Sequence, residues 1–546
     1  MSYLQRYKAL TAESPSQTKT EVLNSISNAL PMTIDKSQRE DLVKALLSDL
    51  AVSKGGVIGS DETLPALVAL KTLGRDPSGS TIIVQKEHLE VLHTFAKSKA
   101  TENSKEALRC VANALLLIEA GRGTWLSIGG GETCLDIMKR ETAPDYVFLG
   151  ARILFVATTQ QSDFIVKAVT SLGAVDIVAT KLDSLLGLMR AGRPMSKEAM
   201  IDTLKFAFNL LLQYPRMMQA KAKEGQDDPA NKPVLGDLWD DRFTPFVPIL
   251  LHLFNSLPQT TSSPLAPPLT HVIHALLSVP VGPFAEQWFS TSATSTPTST
   301  KSETAFSKVR QRLSPTSPPS GTLPLPNAPK DALRRGYDLL DATLATFTPE
   351  DPDDKSVRAK CREMDVSLDD VAPPLALLMA RMVREDDEAR RRMKQWILPS
   401  DLDRSTPLEK KSNFLGRCLR LMTSVYFPRL KDSVGEMLFA LCNSDPNAMA
   451  AQLGYGNCAG FLFNKGIITP PTASSEADIP SDPDINPITG AKADESPNDV
   501  LAGMSEEEKE REAEKLFVLF DRLEKMGMVV NPVRKAQQEG KLEELP

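Results

Sequence analysis

The stretch "EALRCVANALLLI", residues 106–118, places Leu108, Val111, Ala112, Leu115 and Leu116 at spacings of 3, 4, 7 and 8. That recurrence fits one face of an α-helix and not the two-residue alternation of a strand. The same character returns in "FLGARILFVATT" (148–159) and "TLKFAFNLLLQY" (203–214). It continues in "PFVPILLHLF" from 245, "THVIHALLSV" from 270, "PPLALLMARMV" from 373 and "FLGRCLRLMTSVY" from 414. Short breaks rich in Gly, Pro, Asp and Asn separate these segments. The first two begin about 40 residues apart and the third about two such steps from the first, the period of armadillo and HEAT repeats. Leu108-x4-Asn113 recurs as Leu204-x4-Asn209. Each helix pair carries an apolar face that only a neighbour can cover. The sequence therefore predicts an all-α protein, an armadillo/HEAT-like helical repeat superhelix or α-solenoid.

Composition supports that class. At 546 residues the chain exceeds one compact core, and only 6% of it is aromatic, with many Leu, Ala and Met. The net charge of −7 is uneven: from Thr472 onward 9 Lys+Arg face 18 Asp+Glu, whereas the rest holds 54 against 52. A uniformly basic nucleic-acid surface is not indicated. Six cysteines (110, 134, 361, 418, 442, 458) show no C-x-x-C spacing, so neither a metal nor a disulfide framework is predicted. "MSYLQRYKALTAESP" at 1–15 lacks the apolar core of a signal peptide, and no apolar run approaches the ~20 residues of a membrane span. The expectation is a cytoplasmic protein.

Two segments interrupt the helical pattern. Residues 290–330, "STSATSTPTSTKSETAFSKVRQRLSPTSPPSGTLPLPNAPK", are rich in Ser, Thr and Pro and read as a long mobile loop. The helical body is thus expected over 1–468, followed by an acidic linker at 469–503 and a C-terminal helix and tail at 504–546. In "MSEEEKEREAEKLFVLFDRLEKMG", Ser505 and Glu508 stand in capping-box spacing, acidic residues fill the first turns, and Gly527 ends the helix. Ala513, Leu516, Phe517, Phe520 and Leu523 form one apolar stripe, which must dock on the protein's own body or on a partner.

Most signs of catalysis dissolve on inspection. "LGYGNCAGFLFNKG" at 453–466 resembles a dinucleotide loop in its glycine spacing, but a helical pattern precedes it where a strand is required. Its glycines are expected to permit tight turns and close helix approach. "IGGGET" at 128–133 lacks the Lys-Ser/Thr of a phosphate loop and reads as a helix–helix turn. His271 and His274 have no carboxylate or Cys partner at ligand spacing, so no metal site is predicted. "EARRRMKQW" at 388–396 reads as a solvated helix face. No cofactor and no covalent chemistry are predicted.

Two constellations point to partners. Asn113 and Asn209 occupy equivalent repeat positions, and Arg75, Arg109 and Arg152 lie in or beside repeat helices. On the inner side of a superhelix such Asn amides can bond a partner's backbone, and such Arg side chains can hold a carboxylate. Alternatively, each Asn satisfies a turn carbonyl and each Arg faces solvent. In the linker, Ser475 precedes Glu476 and Asp478, and Ser481 precedes Asp482 and Asp484, a context read by acid-directed kinases.

Seven stretches carry a family pattern: "LKTLGRDPSGS" (70–80), "EALRCVANALL" (106–116), "LGARILFVATT" (149–159), "MARMVREDDEARRRMKQWILP" (379–399), "LGYGNCAGFLFNKG" (453–466), "INPITG" (485–490) and "MSEEEKEREAEKLFVLFDRLEKMG" (504–527). In these the chain resembles a fungal-type member of the synembryn family, also called resistance to inhibitors of cholinesterase 8. The resemblance implies an exchange factor and folding chaperone for heterotrimeric G-protein α subunits. It implies that the groove captures the C-terminal helix of Gα, releasing GDP, and that the segment after the repeats supports the nucleotide-free state until GTP binds. It also favours phosphorylation of Ser475 and Ser481, and a monomer recruited to the plasma membrane through Gα. A solenoid adaptor that binds peptide cargo without exchange activity is the alternative.

Overall fold

A computed structural model describes residues 1–30, 33–52, 56–98, 101–222, 238–259, 263–289 and 331–467, with residues 490, 505, 509 and 511. Among the described residues every regular element is a helix, as the periodicity predicts. The chain divides into two compact units: residues 1–399 with 420–444, and residues 400–419 with 445–546. The helices at 446–464, which the sequence analysis sets at the end of a single body, belong to the second unit.

The first unit is a two-layer stack. Its inner layer runs Thr63–Leu73, Glu102–Leu117, Pro144–Ala157, Ser196–Ala222, Leu269–Leu276, Pro373–Glu385 and Pro428–Leu441, each helix packing on the next. The outer layer runs Lys36–Ala51, Lys86–Ala96, Ala120–Ser127 with Gly130–Arg140, Ala174–Arg190, Phe246–Ser256 and Ala332–Phe347. Outer helices cover inner ones from behind, as the repeat argument requires.

Local chemistry sets the helix ends. Thr101 and Ser104 form a capping box that opens Glu102–Leu117. Pro144, Pro373 and Pro428 begin their helices, where a missing N–H costs nothing. Leu108, Val111 and Leu115 are fully buried between the layers, each contributing about 1.5–3 kcal/mol. Leu116 departs from expectation: it is 54% exposed. Eight residues from Leu108 it has rotated about 80° around the helix, toward Arg109 and Asn113 and away from the core.

The "IGGGET" turn is confirmed. Gly129 adopts φ +85°, and Gly130 and Gly131 start the next helix with aromatic rings seated on them. A Cβ at Gly130 would lie 2.1 Å from Trp125, and one at Gly131 2.4 Å from Phe164. Further on, a clamp joins parts of the chain separated by the 290–330 segment. Glu385 Oε2 accepts the Val281 N–H at 2.7 Å, Glu385 Oε1 accepts Arg381 Nε–H at 2.6 Å, and Arg381 also donates to the Leu277 carbonyl. All six cysteines are buried, and burial pushes the thiols of Cys134 and Cys458 up to about 12 and about 11.

In the second unit, Gly454 (φ +84°) separates helices Pro446–Leu453 and Tyr455–Asn464, and Gly466 (φ +78°) follows the latter. The turn-forming role expected of these glycines therefore holds. Close approach does not hold at Gly460, where a Cβ would meet nothing within 4 Å. It occurs instead at Gly490, whose Cβ would lie 2.9 Å from the Leu453 carbonyl. Arg404 donates to the carbonyls of both Gln452 (3.0 Å) and Gly490 (2.6 Å), tying Gly490 to the end of Pro446–Leu453. Lys509 N–H donates to the Ser505 carbonyl at 3.0 Å. The 290–330 loop, Ser475, Ser481, Leu516, Phe517, Phe520 and Leu523 lie outside the described residues.

Candidate functional site: the open face of the inner layer

Each inner helix buries most of its circumference and leaves one stripe partly exposed, at spacings of three and four. On Glu102–Leu117 the stripe is Arg109, Asn113 and Leu116; on Pro144–Ala157 it is Phe148, Arg152 and Phe155. Ser196–Ala222 adds Lys205, Phe208 and Leu212, and Leu269–Leu276 adds His271 and His274. Because the helices pack in series, the stripes adjoin. The cross-helix contacts show this: the Lys205 ammonium lies 5.1 Å from the Phe155 ring centre, and Phe208 lies 6.2 Å from His274.

The five groove residues predicted from the repeat pattern meet different fates. Arg75 is exposed just beyond Gly74, the C-cap of Thr63–Leu73. Arg109 lies on the stripe and pairs with Glu106, whose other oxygen takes Lys71 at 2.7 Å. Arg152 stands over the Phe148 ring at 4.9 Å, and its Nε donates to Asp202 at 2.5 Å. Both arginines are thus oriented by a buried carboxylate. Asn209 is 7% exposed and donates to the Phe155 carbonyl (2.9 Å) and Thr158 Oγ1 (3.1 Å). It therefore satisfies orphan acceptors at the end of the neighbouring helix, the structural alternative weighed above. Asn113 is half-buried and its amide makes no hydrogen bond among the described residues. The two asparagines are equivalent in pattern but not in environment.

Residues that the repeat pattern does not single out complete the face. Asp202 has no exposed surface, and its Oδ1 lies 3.7 Å from Lys205, beyond hydrogen-bond reach. Phe155, Leu204, Lys205, Phe208, Asn209, His271 and His274 line a cleft of about 130 Å³. Burial first, then the charges of Lys205 and His274, hold the His271 imidazole down to about 4; burial also lowers His274. The helical spacing of Lys205, Phe208 and Leu212 is the signal that marks this stripe in the sequence.

The other motifs are occupied structurally. On Asp387–Ile397, Arg390 and Arg391 pair with Asp387 and Glu388, and Arg392 pairs with Asp331 and stacks on Trp396. Among the described residues no group of His, Cys, Asp or Glu is arranged to hold a metal, and no helix is long and apolar enough to cross a membrane. The face thus sets phenylalanine rings beside two cations, Arg152 and Lys205, that share the carboxylate of Asp202.

Comparison with known proteins matches residues 66–541 to a family described as guanine nucleotide exchange factor synembryn. Chaperone Ric-8A of Bos taurus is 24% identical over 539 residues, spanning 92% of this chain and 88% of its own. Ric-8A of Macaca fascicularis is 35% identical over 175 residues, 30% of this chain and 32% of its own. Chaperone ric-8 of Caenorhabditis elegans is 31% identical over 176 residues, 30% and 31% of the two chains.

Proposed function

The chain belongs to the synembryn family of guanine nucleotide exchange factors, and from that membership we propose that it acts on heterotrimeric G-protein α subunits as exchange factor and folding chaperone. It binds GDP-bound or nascent Gα, draws the C-terminal helix of Gα onto the inner-layer face, and so promotes GDP release. The observation that supports this reading is the adjoining row of partly exposed Phe148, Arg152, Phe155, Lys205 and Phe208 on consecutive helices. The work is done by linkage and not by covalent chemistry. A protein that binds empty Gα more tightly than GDP-bound Gα weakens GDP binding by the same factor. Holding an open, aggregation-prone Gα is also what a chaperone does, so one face serves both roles.

The C-terminal segment 504–546, with Leu516, Phe517, Phe520 and Leu523, supports the nucleotide-free state until GTP binds. Phosphorylation of Ser475 and Ser481 by an acid-directed kinase adds charge that strengthens the interaction. The protein works as a cytoplasmic monomer brought to the plasma membrane by Gα. The test is GDP release from purified Gα with and without the full chain. Release should accelerate, and replacing Phe155 and Phe208 with Ala should abolish the gain while far-UV circular dichroism stays unchanged. No acceleration with any Gα of the same organism sinks the reading. Binding of isolated peptides that ignores the nucleotide state of Gα would favour a cargo adaptor instead.

A further inference from the structure

The cleft at the middle of the open face has an uneven charge balance. Asp202 is the carboxylate beside it: Oδ2 is taken by Arg152 at 2.5 Å, and Oδ1 faces Lys205 at 3.7 Å. One carboxylate thus serves two cations and, among the described residues, leaves the positive charge at Lys205 without a hydrogen-bonded counter-ion. Two imidazoles, His271 and His274, stand on the other wall with their ring centres 6.3 Å apart. Among the described residues, the other charged groups on the helices packed on theirs are paired or exposed, Arg384 lying 3.5 Å from Glu436. Pro373–Glu385 brings Arg381 and Glu385, which pair with each other at 2.6 Å, and Phe246–Ser256 brings His252, which is exposed and 3.4 Å from Ser256 Oγ. Phe155, Leu204 and Phe208 complete an apolar rim.

We propose that this cleft is a carboxylate subsite, and that its occupation by the partner takes up a proton on the His271–His274 pair. The inference rests on the exchange-factor reading, since the carboxylate comes from the helix of the partner. Entry of the carboxylate supplies the missing counter-charge to Lys205 and an acceptor for an imidazolium, and both effects favour the protonated ring. Before a partner binds, burial lowers both imidazoles, and the Lys205 charge lowers His271 further. Because occupation raises the affinity of His271 for its proton, binding tightens as pH falls through the raised value. The apolar rim suits a carboxylate carried next to a large apolar side chain.

Isothermal titration of the full chain provides the test, with nucleotide-free Gα and with synthetic peptides of its C-terminal helix ending in a free acid or an amide. Each is run at pH 7.5 and 6.0 in two buffers of different ionisation enthalpy, which reads proton uptake directly. Affinity should rise about three- to tenfold between the two pH values for one histidine titrating near its ordinary range. His271→Gln with His274→Gln should remove both the rise and the uptake, and the single His271→Gln, at a half-buried position, serves where the double variant folds poorly. Binding without proton uptake, or uptake unchanged in the variants, overturns the proposal. Absence of binding at either pH overturns the exchange-factor reading and the inference with it. An amide that abolishes uptake assigns the carboxylate to the chain end, and one that keeps it assigns an acidic side chain; either supports the subsite.

Discussion

Asp202 Oδ2 accepts the Arg152 Nε–H at 2.5 Å from a carboxylate with no exposed surface, reaching 50 residues along the chain to fix the guanidinium on the open face. Removing the acid alone leaves two cations crowded without their counter-charge; removing Arg152 alone leaves the acid buried. Asp202→Ala is expected to cost about 2–3 kcal/mol, and the Asp202→Ala, Arg152→Ala pair markedly less than the sum of the singles. Urea denaturation of the four proteins measures the coupling, and strict additivity would refute a working ion pair.

The two repeat asparagines should separate stability from binding. Asn209→Ala loses hydrogen bonds to the Phe155 carbonyl and Thr158 and should destabilise by about 1–2 kcal/mol. Asn113→Ala should change stability by less than about 0.5 kcal/mol yet weaken binding of Gα. Melting temperatures and Gα affinity, read side by side, decide it.

Glycine replacements should have opposite signs. Gly131→Ala forces a methyl into the Phe164 ring and should cost more than about 2 kcal/mol. Gly460→Ala enters open space on a helix and should stabilise by about 0.5–1 kcal/mol. Thermal melts of the two single variants suffice.

Acid should weaken the fold through His93. The residue is 4% exposed, its Nε2 lies 2.8 Å from Thr133 Oγ1, and burial holds the imidazole down to about 4. The neutral ring is favoured in the folded chain, so stability is complete above the unfolded value of about 6.5 and is lost as pH falls from there toward 4. The loss from this group by pH 5 is about 2 kcal/mol. Comparing urea midpoints at pH 7.5 and 5, the drop should be smaller in His93→Gln than in the parent; an equal drop would exclude His93 as a source.

The fold was legible because its main determinant is local. The spacing of Leu108, Val111 and Leu115 requires a helix with one buried face, and successive helices of that kind bury their faces only by stacking. The glycines of 453–466 were legible as turns for the same reason, since no strand pattern precedes them. The site was legible only in part. Arg109, Asn113 and Arg152 do lie on the open stripe, but what each one does depends on residues dozens of positions away. Asn209 is spent on a carbonyl 54 residues earlier. His271 and His274 could be seen as a pair, whereas Lys205, whose charge bears on His271, comes from another helix. Asp202, buried and invisible to helical patterning, organises two cations that the sequence shows only as isolated basic residues.

The buried thiols have an experimental use. Since Cys110, Cys134, Cys361, Cys418, Cys442 and Cys458 all lie inside the packed helices, maleimide or methanethiosulfonate reagents should pass over the native chain. The protein is thus a quiet background for site-directed labelling without first being stripped of cysteine. A spin label or fluorophore on Asn113→Cys or Leu116→Cys would report from one known point on the open face. Nucleotide exchange could then be followed in real time from the side of the factor as well as from that of the G protein.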